Sequence, residues 1–135
     1  MTSGFLLDSD IAIHLRDGTG NASARLAKLG ATPQLSLITR IELEGGVAAV
    51  PALRGWRRAA LDRLLVTMPV LPIDDAMVDA YASIVAALGY SRRQVFDRLI
   101  AATAIVNDLT LITINATDFR AIPGLSLEVW PAPAQ

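Results

Sequence analysis

Phe5-Leu6-Leu7-Asp8-Ser9-Asp10-Ile11-Ala12-Ile13-His14-Leu15-Arg16 passes from an apolar run to a helical pattern at one carboxylate. Phe5 to Asp8 reads as a short buried strand, since an unbroken apolar run suits a strand covered on both faces. Ser9 to Arg16 reads as a helix, closed by the Asp17-Gly18-Thr19-Gly20 turn. A strand feeding directly into a helix is half of a βαβ unit, and the rest of the chain repeats that order.

Further strands are expected over Gln34 to Ile38, Val70 to Leu71, Thr110 to Ile114 and Leu125 to Val129. A second helix follows Asn21 and runs to Leu29, with Gly30 stopping it. Thr39-Arg40-Ile41-Glu42 matches a capping box opening the third, which Gly45-Gly46 weakens or ends. Pro51 suits the first turn of a fourth, running to about Val66. Asp74 or Asp75 caps a fifth that carries Met77, Tyr81, Ile84 and Val85 as an apolar stripe and ends at Gly89. Ser91-Arg92-Arg93-Gln94 offers a second capping box before a sixth helix that reaches about Val106. The alternation predicts an α/β fold, a three-layer α/β/α sandwich around a central parallel sheet. One domain is expected over residues 1–130, with a frayed tail over 131–135.

Composition narrows the function classes. At 135 residues the chain has the size of one domain, and 53% hydrophobic residues are ample for a buried sheet. No apolar run reaches the roughly 18 residues of a membrane span, and the N-terminus lacks a signal-peptide pattern. Cysteine is absent, which removes disulfides, thiolate zinc sites and cysteine nucleophiles. A cytoplasmic protein fits these features. The net charge of −1 excludes a strongly basic nucleic-acid footprint. Lys28 is the only lysine and every other cation is arginine, a bias that genome composition explains as readily as phosphate binding.

Four acids stand where a parallel fold collects ligands. Asp8 ends the first strand, Asp118 follows the late strand, and Glu42 and Asp97 are expected in the first turns of helices. Asp97 lies inside the otherwise apolar run Val95-Phe96-Asp97-Arg98-Leu99-Ile100-Ala101-Ala102. Each acid also has a local reading: Glu42 as a capping-box partner, Asp8 and Asp118 as caps, Asp97 as a helix-dipole charge worth roughly 0.3–1 kcal/mol. Converged on one rim, however, two carboxylates about 4 Å apart repel by roughly 4 kcal/mol at an effective dielectric of 20. Four then require cations. Mg²⁺ or Mn²⁺ prefers such oxygen ligands, and these ions can activate water and steady the leaving oxygen of a phosphodiester. His14, the only histidine, is expected to be a partly exposed polar residue.

With these residues in place the chain resembles the PIN-domain ribonucleases, specifically the VapC-type toxins of bacterial toxin–antitoxin pairs. Five segments carry the resemblance in order: Leu6-Leu7-Asp8-Ser9-Asp10, Ser36-Leu37-Ile38-Thr39-Arg40-Ile41-Glu42, Asp97 to Ala102, Thr113-Ile114-Asn115-Ala116-Thr117-Asp118-Phe119, and Ile122-Pro123-Gly124-Leu125 with Glu128-Val129-Trp130. The resemblance implies a PIN-like fold in which Asp8, Glu42, Asp97 and Asp118 are catalytic metal ligands. It makes Ser9, Thr113 and Asn115 supporting hydrogen-bonders. Asp10 departs from the pattern, where a neutral residue is usual, and Arg98 is expected to face away from the metal. The implied activity is hydrolysis of structured RNA such as tRNA or rRNA. The implied partners are an inhibitory VapB-type antitoxin, a second copy of the chain in a homodimer, and DNA only through the antitoxin.

Arg92 and Arg93 precede the helix bearing Asp97 and are candidate RNA phosphate contacts. Arg54, Arg57 and Arg58 form a second patch beside Trp56, for which a solvated helix face with an Arg58–Asp62 pair is the simpler reading. Two other functions compete. Asp8-Ser9-Asp10 resembles the start of aspartyl-phosphate phosphatases, but Ala12 occupies the fifth position and Lys28 comes too early for that class. A non-catalytic PIN-like protein-binding module would keep the fold while tolerating loss of an acid.

Overall fold

Five parallel strands, β1 (Phe5–Leu7), β2 (Gln34–Ser36), β3 (Val70–Leu71), β4 (Thr110–Thr113) and β5 (Leu127–Val129), lie in the order β3-β2-β1-β4-β5. These and the contacts below come from a computed structural model that describes residues 2–132. The helices are α1 (Ser9–Asp17), α2 (Ala22–Ala27), α3 (Leu37–Ala49), α4 (Arg54–Thr67), α5 (Asp75–Leu88) and α6 (Val95–Val106). Alternate residues of a strand face opposite sides, and β1 shows both. Leu6 packs on one face with Ile84 of α5 and Ile100, Ala101 and Ala104 of α6. Leu7 packs on the other with Ile11 of α1, Leu43 and Val47 of α3, and Leu61 of α4. The predicted α/β/α layering therefore holds. The chain lays β2 and β3 to one side of β1 and then crosses to place β4 on the other. The strand order reverses between β1 and β4, and in open parallel sheets the carboxyl ends of the strands at such a reversal are where ligands bind.

Helix starts differ from the expected ones, because polar side chains leave the ladder earlier than the apolar pattern shows. Asp8 is not in β1; it caps α1, its side chain accepting from the Ser9 backbone N–H at 2.8 Å. Leu37 and Ile38 belong to α3 rather than β2, since the Ser36 hydroxyl accepts from the Thr39 N–H at 3.0 Å. The cap is Ser36, not Thr39, so Glu42 stands in the second turn and the expected capping box does not form. Ser91 makes no side-chain cap either; a 3-10 turn over Arg92–Gln94 leads into α6 instead. A matching 3-10 turn at Pro51–Leu53 precedes α4. Asn21 also makes no side-chain cap and α2 ends at Ala27, short of the expected Leu29. Ile114 lies beyond β4, and β5 starts at Leu127. Asp74 caps α5 as expected, its Oδ1 accepting from the Met77 N–H at 3.1 Å. The frayed tail expected over 131–135 falls outside the described residues beyond Ala132.

Gly45 and Gly46 do not stop α3, which continues to Ala49. Gly46 has a packing role. A Cβ there would stand 2.5 Å from Nη1 of Arg16, a buried side chain that pairs with Asp17 at 2.9 Å and donates to the Leu43 carbonyl at 3.2 Å. Nothing lies within 4 Å of a Cβ at Gly45. Gly45→Ala is therefore expected to stabilise by up to about 1 kcal/mol through helix propensity. Gly46→Ala should instead cost about 1–3 kcal/mol as the guanidinium is displaced. Urea unfolding midpoints that move in opposite directions would bear this out, and a Gly46→Ala midpoint above the parent's would refute it.

The arginines beside Trp56 finish this corner. Arg57 Nη1 donates to the Gly46 carbonyl at 2.8 Å and Arg54 Nη2 to the Ala48 carbonyl at 3.3 Å. Both satisfy last-turn carbonyls of α3, the favourable end for cations. Arg58 pairs with Asp62 at 2.7 Å, as expected, and with Glu44.

Candidate carboxylate site

The carboxylates nearest this edge of the sheet come from separate parts of the chain. Asp8 follows β1, Glu42 rises from α3, Asp97 sits in the first turn of α6, and Asp118 ends a 3-10 turn after β4. Asp8 is buried, and each of its oxygens is held. Oδ1 accepts from the Ser9 N–H at 2.8 Å, and Oδ2 from the Thr113 hydroxyl at 2.7 Å. The Thr113 hydroxyl in turn accepts from the Asn115 N–H at 2.9 Å, and the Asn115 amide donates to Asp118 Oδ2 at 2.5 Å. The three expected supporting residues thus each touch an acid of the set or its neighbour.

A chain of hydroxyls serves Glu42. Ser9 Oγ donates to Glu42 Oε1 at 2.8 Å and lies 3.0 Å from Thr39 Oγ1, which accepts from Ser36 Oγ at 3.2 Å. Since Ser9 spends its proton on Glu42, Thr39 donates to Ser9, and all three hydroxyls point their protons toward the carboxylate. Such a directed run polarises each bond in turn. Ser36 and Thr39 are fully buried. Local capping patterns had hidden this role for Thr39, and the only sequence signal was the pair Ser36 and Thr39 set among Leu35, Leu37 and Ile38. Thr39→Val removes the middle of the run. If Glu42 holds a cation, this change should weaken metal binding or activity about 10–100-fold, as for a group supporting a metal ligand, while circular dichroism stays native. Full activity would show Glu42 to be oriented without it.

Electrostatics link the acids. Burial pushes the Asp8 carboxyl up to about 7; the Thr113 and Ser9 hydrogen bonds oppose this, while the charges of Asp10 and Asp97 add to it. Asp97 is raised to about 6, first by burial, then by the charges of Asp118, Glu42 and Asp10 and by its hydrogen bond with Asp118. Asp10 is exposed but close enough to act on both. Among the described residues no three acidic or histidine side chains stand close enough together to hold a metal ion, so the expected convergence of four ligands is not formed in the metal-free fold. The donors are carboxylates and hydroxyls without sulfur or imidazole, a set suited to a hard divalent ion. Glu42 Oε2 accepts no hydrogen bond among the described residues and stays available.

Arg98 faces away from the acids, as anticipated. It is buried, donating from Nη1 to the Gly89 carbonyl at 2.6 Å and from Nη2 to Gln94 Oε1 at 2.9 Å. Arg92 and Arg93 are exposed at the start of α6. His14 is half-buried and its Nδ1 lies 2.7 Å from the Thr19 hydroxyl, away from this site's hydrogen bonds. No helix among the described residues is long and apolar enough to cross a membrane.

Comparison with known proteins agrees with this fold. The sequence model of the PIN domain matches residues 5–125. No curated protein matches the chain. Among solved structures, VapBC2 from Rickettsia felis, bound to a DNA fragment from its promoter, has a TM-score of 0.83. It is 24% identical, with 95% of this chain and 99% of that chain covered. A toxin–antitoxin complex from Klebsiella pneumoniae gives 0.74 at 27% identity, covering 96% and 98%. VapBC-5 of Mycobacterium tuberculosis gives 0.68 at 29% identity, again covering 96% and 98%.

Proposed function

Because the chain belongs to the PIN-domain family, we propose that it is the toxin of a VapBC-type pair, an endoribonuclease dependent on Mg²⁺ or Mn²⁺. The support for this reading is electrostatic: Asp97 is raised by the charges of Asp118 and Glu42, and buried Asp8 by the charge of Asp97, so four acids from distant parts of the chain act on one another near the strand ends where the sheet order reverses. A structural role does not call for that concentration of like charge, whereas phosphodiester hydrolysis by bound cations does. Asp8, Glu42, Asp97 and Asp118 would hold the ion, which supplies Lewis acidity and an activated water when bound. Thr113 and the Ser9 N–H fix the two oxygens of Asp8, the Ser36-Thr39-Ser9 run fixes Glu42, and Asn115 fixes Asp118. Arg92 and Arg93 would neutralise substrate phosphates, and the substrate is RNA of the tRNA or rRNA class.

The regulatory partner is a VapB-type antitoxin. Support comes from solved neighbours that are toxin–antitoxin complexes, one of them on promoter DNA. DNA would be reached only through that partner. The working form is a homodimer acting in the cytoplasm. The test is incubation of the purified chain with total cellular RNA in Mn²⁺, in Mg²⁺ and in EDTA, followed by sequencing of new 5′ ends. Discrete ends that appear with either metal and vanish in EDTA support the proposal. RNA left intact in both metals, with the protein folded, rejects it.

A further inference from the structure

Two aromatic side chains stand in water in the segment that leads into Asp97. Tyr90 is 70% exposed and Phe96, directly before Asp97, is 52% exposed. Both flank the 3-10 turn Arg92–Gln94 that joins α5 to α6. This connection is fixed rather than loose. Gly89, at φ +86°, turns the chain out of α5, and the buried Arg98 guanidinium ties the Gly89 carbonyl to the Gln94 side chain. One side chain therefore clamps both ends of the connection from below, leaving Tyr90, Arg92 and Arg93 on its outer surface. Arg92 and Arg93 make no ion pair among the described residues, whereas Arg16, Arg40, Arg57 and Arg58 all do.

We propose that Tyr90 and Phe96, with Arg92 and Arg93 between them, form a platform for single-stranded RNA that stacks bases next to the carboxylate rim. It rests on the ribonuclease reading of that rim. Aromatic faces interleaved with unpaired guanidinium groups are the chemistry that binds an unpaired strand, bases on the rings and phosphates on the arginines. An acidic rim repels the substrate backbone, so fixed positive charge at its edge is needed to seat a phosphate there. The clamp by Arg98 lowers the ordering cost of binding. Stacking tolerates any base, so the platform favours an unpaired segment over a particular sequence, which directs cutting to loops rather than stems.

The test compares two fluorescein-labelled 12-nucleotide strands, oligoadenylate and an abasic ribose-phosphate strand, by anisotropy in Ca²⁺ with the strand checked intact. The parent chain should bind oligoadenylate at least about tenfold more tightly than the abasic strand. The exposed double variant Tyr90→Leu/Phe96→Leu should bring the two within about twofold, and Tyr90→Phe alone should keep the preference. Arg92→Gln/Arg93→Gln should weaken both strands alike and flatten the salt slope by about 1.4. On a cleavable RNA the Leu double variant should raise KM about tenfold and leave kcat unchanged. A parent without base preference, or a Leu double variant that keeps it, overturns the platform. So does a Leu double variant that changes only the sedimenting mass, since a second copy of the chain then covers the aromatics. Asp97-dependent cleavage alongside such a result leaves the ribonuclease reading standing. Base-dependent binding without any cleavage removes that reading and keeps the platform.

Discussion

Asp97→Asn should abolish growth arrest in cells expressing the chain and cut RNA hydrolysis by at least about 100-fold, with no loss of folded protein. The two halves of this expectation have one cause. Asp97 is raised to about 6 by burial and by three neighbouring acids, so its charge is unfavourable to the metal-free fold at neutral pH. Asparagine is nearly isosteric and uncharged. It relieves the repulsion and should leave the melting temperature at pH 8 equal to or above the parent's. The same change removes one anionic oxygen donor from the set that would hold the cation. A residue that lowers stability while serving activity is what a reactive site requires. Induced expression of both forms, with melting curves of the purified proteins, gives both readouts. Equal arrest by parent and variant would defeat the metal-site argument. A variant that fails through unfolding would instead mark Asp97 as structural.

The metal-free chain should lose stability as pH rises, with Asp8 the largest contributor. The Asp8 carboxyl goes from 3.8 in the unfolded chain to about 7 in the fold, mainly through burial. Between those values the folded state binds more protons than the unfolded state. Stability therefore falls as pH climbs through this window, and the penalty is complete above about 7. For this buried group the full span corresponds to about 4 kcal/mol, or about 10 °C in melting temperature for a domain of this size. Asp97 acts in the same direction over a window ending near 6. In EDTA the melting temperature is expected to drop between pH 5 and pH 8, and Asp8→Asn should flatten that drop. Mn²⁺ at about 100 times its Kd should return about 2.7 kcal/mol to the parent at pH 8 and much less to Asp8→Asn. A flat profile in EDTA would mean that Asp8 ionises without penalty. An undiminished Mn²⁺ effect in Asp8→Asn would remove it from the ligand set.

The sequence by itself determined the layering. Apolar runs of strand length, separated by stretches of helical period, leave little choice but a parallel sheet covered on both faces. Ligand groups of such a sheet collect at its carboxyl edge because that is where the loops emerge. Asp97 stood out because an acid among apolar residues is costly, whereas Asp8, Glu42 and Asp118 each also fitted a local capping role and were drawn into the set by their order along the chain. Tertiary structure decided what each acid touches. Ser9 and Thr39 are thirty residues apart, and nothing local shows that their hydroxyls meet at 3.0 Å and serve Glu42. Local rules instead placed Thr39 at a helix cap, a position that Ser36 takes once β2 ends. Gly46 looked like a helix stop, yet it is a gap for Arg16, a residue thirty positions earlier. Capping and breaking are read from neighbours in the chain, whereas a hydroxyl's partner or a glycine's clearance depends on which segments the sheet brings together. The strand order β3-β2-β1-β4-β5 made those encounters, and no single segment encodes that order.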